Sequence, residues 1–115
     1  MDGIGGWKSA CPVAGMNAGE MRRIEGDHPP ILLCRIGEEF FAAEDNCTHQ
    51  DYALSEGYLD GDVIECPLHM AQFSARTGEA LALPASTPLE TYDTKVVDGV
   101  VHVKLPGGAA DEGVA

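Results

Sequence analysis

The sequence predicts an all-β protein, on three observations. Apolar residues fall in short β-branched and aliphatic runs, such as 31–36 and 100–105. Those runs are separated by turn signals, chiefly Asp60-Gly61, Thr77-Gly78 and Asp98-Gly99. No helix of note is predicted anywhere along the chain. At 115 residues the chain is long enough for one domain with a modest core.

A first strand is expected over 20–25, where apolar and polar residues loosely alternate. His28-Pro29-Pro30 reads as a turn. The run 31–36 reads as a buried strand. Gly37-Glu38 is a tight connection into a partner strand over 39–43. The chain leaves this hairpin at Glu44-Asp45-Asn46. Tyr58-Leu59 and Val63-Ile64-Glu65 flank Asp60-Gly61, a strong hairpin signal. The runs 72–76 and 79–83 flank Thr77-Gly78 in the same way, and Leu83-Pro84-Ala85-Ser86 reads as a loop. The chain returns with strands over 89–97 and 100–105, joined at Asp98-Gly99. The tail from Pro106 is glycine, alanine and acid, and is expected to fray.

The net charge is −12, from 19 acidic and 7 basic residues. Nucleic acid and anionic membranes would repel such a chain, whereas positively charged protein patches would attract it. No apolar run approaches the length of a membrane-spanning helix, and the N-terminus lacks a basic, apolar leader. The expected setting is therefore the cytoplasm. Of four cysteines, Cys34 lies in an apolar run and is assigned to the core, and Cys11 is expected to be a free thiol. No disulfide framework is read. Leu54, Leu59 and Ile64 are also assigned to the core. His28 is placed on the surface, and His102, between Val101 and Val103, is expected to point outward.

Two short motifs carry the chemistry: Cys47-Thr48-His49 and Cys66-Pro67-Leu68-His69. Each offers one soft thiolate and one imidazole. A zinc finger usually pairs Cys with Cys and His with His along the chain. The mixed order suits a two-iron cluster in which one iron takes both thiolates and the other both imidazoles. Zinc accepts the same four donors, so a zinc-stabilised interaction module is the alternative left open by the residues alone.

The segment CTHQDYALSEGYLDGDVIECPLH, which joins these motifs, closely resembles the Rieske [2Fe–2S] family, in which two His replace two Cys on one iron. The resemblance covers roughly residues 17–105. It implies stacked antiparallel sheets, with a small cluster-binding subdomain inserted in a base domain. The subdomain would be roughly 45–84, the base roughly 16–44 and 85–106, and the frayed tail 107–115. It implies Cys47, His49, Cys66 and His69 as ligands of one cluster, with the His49 and His69 edge as the electron port. Pro84 would cover the cluster, and Gln50, Leu68 and Met70 would adjoin it. Family members of respiratory complexes carry a bracing disulfide and two hydroxyl donors to the cluster sulfurs. The matching positions here are Tyr52 and Leu68, then Ala71 and Phe73. Missing donors leave the reduced state less stabilised, so a potential of about −150 to 0 mV is expected, at the low end of the Rieske range.

GYLDGD, ECPLH and RTGEALALPA most resemble the Rieske-type ferredoxins of multicomponent aromatic-ring dioxygenases. The implied role is a monomeric one-electron carrier. It would accept electrons from an NAD(P)H-dependent flavoprotein reductase and pass them to the Rieske centre of a terminal oxygenase. Only His28 and His102 remain for a second metal, and no G-x-G-x-x-G is present, so the chain is not expected to be an enzyme itself. A different class of role is the small Rieske subunit of an enzyme complex such as an assimilatory nitrite reductase.

Overall fold

The computed structural model describes residues 6–26, 28–47, 53–66, 71–82 and 87–105. Within them the chain forms the strands β1 (Trp7–Pro12), β2 (Met21–Gly26), β3 (His28–Ile36) and β4 (Glu39–Glu44). It continues with β5 (Tyr58–Asp60), β6 (Val63–Glu65), β7 (Gln72–Ser74), β8 (Ala80–Ala82), β9 (Thr91–Tyr92), β10 (Thr94–Val97) and β11 (Val100–Lys104). The helical elements among these residues are two 3₁₀ turns, Val13–Gly15 and Leu54–Glu56.

The strands form three antiparallel sheets, ordered β1-β11-β10, β2-β3-β4-β9 and β5-β6-β7-β8. The second lies between the other two, and its strand alternation shows how. Successive side chains of a strand point to opposite faces. Leu32, Cys34 and Ala43 face one way and join Leu54, Ile64 and Phe73 in a core beneath β5-β6-β7-β8. Ile31, Leu33 and Ala42 face the other way and join Val101 and Val103 beneath β1-β11-β10. One sheet thus supplies both cores, which is why 31–34 is uniformly buried rather than alternating.

Arg76 fastens the small sheet to the central one. Its Nη1 donates to Glu39 at 2.8 Å, its Nε to Asp62 at 3.2 Å, and its guanidinium lies 5.1 Å from the centre of the Phe41 ring. Each of these half-exposed contacts is worth about 1 kcal/mol or less.

Four expectations are revised by the structure. His28-Pro29-Pro30 is the start of β3, not a turn. Between the pairs Ile24↔Ile31 and Gly26↔His28, two residues of β3 oppose one of β2. The prolines occupy this bulge, where a ladder donor is not required. The run 89–97 is two strands: β9 pairs with β4, whereas β10 pairs with β11. The chain crosses between sheets at Asp93, whose carbonyl accepts the Lys104 N–H at 2.8 Å. The turn of the β5–β6 hairpin is Gly61-Asp62, because Asp60 pairs with Val63. Finally, Trp7–Pro12 is a strand that the sequence reading did not assign; it adds to β11 and buries Cys11. The expectations for Leu83-Pro84-Ala85-Ser86, the His28 side chain and the tail 107–115 lie outside the described residues.

Candidate metal centre

Each of the two motifs follows a strand of a different sheet. Cys47 follows β4 of the central sheet and Cys66 follows β6 of the small sheet. Stacking of those sheets brings both cysteines into one core, with 1% and 0% of their surfaces exposed. The two do not form a disulfide. The Cys66 N–H donates to the carbonyl of Ala71 at 2.8 Å, which ties the start of the second motif to the residue that precedes β7. Leu54, Ile64, Phe73 and Leu89 complete the apolar surroundings. His49 and His69 lie outside the described residues, as do Gln50, Tyr52, Leu68, Met70 and Pro84. Among the described residues, no group of three or more His, Cys, Asp or Glu side chains forms another metal site.

The two cysteines fit a cationic iron–sulfur group. A thiolate buried in an apolar core is costly unless positive charge compensates it. A ferric cluster would compensate two such thiolates together. Cys34, on β3, occupies the same core. Burial pushes its thiol up to about 12, and the charge of Asp45 acts in the same direction. In the apolar core that thiol keeps its proton at neutral pH.

The two positions expected to lack hydroxyl donors are well placed. Ala71 and Phe73 are both 0% exposed and lie in the core that holds Cys66. Phe73 is paired with Ile64 across β6 and β7. His102 is half-buried between the fully buried Val101 and Val103, with its Nδ1 3.3 Å from the Ser9 hydroxyl, away from both cysteines' core.

Sequence reasoning missed one group beside the site. Asp45, two residues before Cys47, has a side chain that is 0% exposed. Its Oδ1 accepts the Ser55 N–H at 2.7 Å. Its Oδ2 accepts the Ser55 hydroxyl at 2.7 Å and Arg23 Nη1 at 3.0 Å. An acid beside a turn is ordinarily solvated, so nothing local marked this one as buried.

Residues 6–93 match the Rieske [2Fe-2S] domain. The chain is 52% identical over 98 residues to the ferredoxin component of biphenyl 2,3-dioxygenase from Rhodococcus jostii (strain RHA1), covering 85% of this chain and 92% of that protein. It is 48% identical over 98 residues to the ferredoxin subunit of 3-phenylpropionate/cinnamic acid dioxygenase from Escherichia coli (strain K12), covering 84% and 92%. Among solved structures it is similar to a chain in the complex of reduced oxygenase and oxidised ferredoxin of carbazole 1,9a-dioxygenase. That match has a TM-score of 0.84 and 40% identity, and covers 86% of this chain and 93% of the other. The Sphingomonas yanoikuyae B1 ferredoxin matches with a TM-score of 0.81 and 34% identity, covering 86% and 98%.

Proposed function

The chain belongs to the Rieske [2Fe–2S] family and is an electron-transfer ferredoxin with one Rieske-type cluster, and from that premise we propose that Cys47, His49, Cys66 and His69 hold the cluster. The observation that carries the assignment is the burial of both thiols in one core at the ends of strands from two sheets. His49 and His69 complete the set as the remaining donor of each motif. The segment 45–84 is the cluster-binding unit, set in a base of 16–44 and 85–106 to which β1 adds a further strand.

When bound, the cluster supplies a site that gains and loses one electron at a time. The chain's own residues determine the setting. Leu54, Ile64, Phe73 and Leu89 keep water from the cysteine side of the centre. Ala71 and Phe73 offer no hydroxyl, so the centre lies at the low end of the Rieske range, about −150 to 0 mV.

The donor is an NAD(P)H-dependent flavoprotein reductase, and the acceptor is the terminal oxygenase of an aromatic-ring dioxygenase system. Relatives named as dioxygenase ferredoxins, and one seen with its oxygenase, support the oxygenase as acceptor. The net charge of −12 favours basic docking patches on both partners, with association that slows as salt rises. The protein acts as a monomer in the cytoplasm; among the described residues no helix is long and apolar enough to cross a membrane.

The test is iron and sulfide analysis of wild type, with EPR of the dithionite-reduced protein, beside Cys66→Ala. Two irons per chain and the rhombic signal of mixed His and Cys ligation are expected for wild type. Cys66→Ala is expected to be colourless. A red-brown Cys66→Ala protein with the wild-type signal would overturn the ligand set.

A further inference from the structure

Among the described residues, Asp45 is the charged residue withdrawn from solvent, and electron carriage as set out above gives it no task. We propose that Asp45 is a positioning residue for the first cluster loop, holding both ends of the stretch 46–54 against the central sheet and so fixing Cys47 in register with the second motif. This rests on the assignment of Cys47 and His49 as ligands.

The geometry is that of a three-way tie. Asp45 directly follows β4, and its own N–H donates to the carbonyl of Pro30 at 3.1 Å. That anchors its backbone to β3. Its carboxylate then reaches two further elements. Ser55, in the 3₁₀ turn beyond the loop, donates both its N–H and its hydroxyl, each at 2.7 Å. Arg23, on β2, donates from Nη1 at 3.0 Å, and its Nε is held by Glu25 at 2.7 Å. The loop therefore departs from one partner of the tie and returns to the other. Leu54, next to Ser55, is 0% exposed in the core that holds Cys47 and Cys66.

Stability alone does not call for an ion here, because a well-packed apolar side chain commonly does as well as a buried ion pair. What a carboxylate adds is direction. Its two oxygens define a plane, and donors from two separate elements must arrive within it. Both ends of the loop are thereby set before any metal arrives, so less ordering remains to be done when the ligands close on it.

Three variants of the full chain test this, each loaded with cluster where it will load: Asp45→Asn, Ser55→Ala and Cys47→Ala. The readouts are the rate of cluster loss to a chelator, followed by visible absorbance, the EPR line shape after reduction, and the thermal midpoint. Asp45→Asn keeps the shape but places an amide where two donors converge. It is expected to release its cluster about 10–100-fold faster, the range seen when outer supports of metal ligands are removed. Its EPR lines are expected to broaden as the ligand geometry spreads. Ser55→Ala keeps the backbone bond and is expected to fall between Asp45→Asn and wild type. Should Asp45→Asn fail to fold, Ser55→Ala decides alone. The proposal is overturned if the folded variants lose stability yet keep the wild-type release rate and line shape. Cys47→Ala separates the two readings. If it loads a normal cluster, the ligand set is wrong. If it stays empty while the Asp45 and Ser55 variants match wild type, only the positioning role fails.

Discussion

Gly78 offers the sharpest test of how the small sheet is seated. It closes the β7–β8 hairpin with φ at +81°, and its carbonyl accepts the Leu89 N–H at 2.8 Å. A Cβ at this position would lie 2.6 Å from the carbonyl oxygen of Leu89 and 2.8 Å from Cγ2 of Thr91. The Gly78→Ala change therefore carries two costs. The left-handed backbone costs a non-glycine residue about 1–2 kcal/mol. The overlap adds to this: segment 89–91 must retreat, weakening one hydrogen bond, worth about 1 kcal/mol. The retreat also loosens the packing of Leu89, which is 5% exposed. With about 1 kcal/mol for that loosened packing, the combined loss is about 3–4 kcal/mol, a large share of the 5–15 kcal/mol typical of a domain. For a chain of this size that is a fall of about 10–20 °C in the thermal midpoint.

Gly61→Ala is the matched control. Gly61 has φ at +64° with nothing within 4 Å of its would-be Cβ. It should lose only the backbone cost of about 1–2 kcal/mol, or about 3–10 °C. Both variants would be melted by circular dichroism at one scan rate, with the visible band recorded in parallel. In Gly78→Ala the cluster should bleach at a correspondingly lower temperature, because Leu89 packs in the core that holds both cysteines. If Gly78→Ala melts no earlier than Gly61→Ala, the close approach of Gly78 to Leu89 does not secure the small sheet, and the reasoning fails.

Two further outcomes are expected. Phe73→Tyr and Ala71→Ser each place a hydroxyl in the core of Cys66. If each donates to a sulfur and favours the reduced state by about 1 kcal/mol, each raises the potential by roughly 40 mV, since a tenfold change in a one-electron equilibrium is 59 mV. Protein-film voltammetry reads this directly, and an unchanged or lowered potential in both variants would refute the explanation for the low value. Cys34 sets an alkaline limit on stability. Its folded-state value is raised from 9.0 to about 12, chiefly by burial. The folded thiol keeps its proton while the unfolded one releases it, so stability is full below pH 9 and falls as pH rises through 9–12. Urea midpoints measured across that window should decline more steeply for wild type than for Cys34→Ala; equal slopes would contradict the assignment.

The sequence by itself determined what depends on near neighbours. Four donors in two mixed motifs, and glycine turns such as Thr77-Gly78 and Asp98-Gly99, are local features whose chemistry is set within a few residues. The hairpins β3–β4, β5–β6, β7–β8 and β10–β11 follow from them. Tertiary structure alone decided what depends on distant partners. An apolar run such as 89–97 announces a strand but not which sheet will bury it, and here it divides between two at Asp93. Trp7–Pro12 becomes a strand only because β11 offers an edge. Two prolines are tolerated in β3 because β2 is one residue short opposite them. Asp45 is buried because Arg23 and Ser55 meet it from two other elements, and burial of a carboxylate is stable only where such donors converge. Patterns of neighbouring residues encode strands and ligands, but pairing, burial and the support of the ligands arise from contacts between residues far apart in the chain.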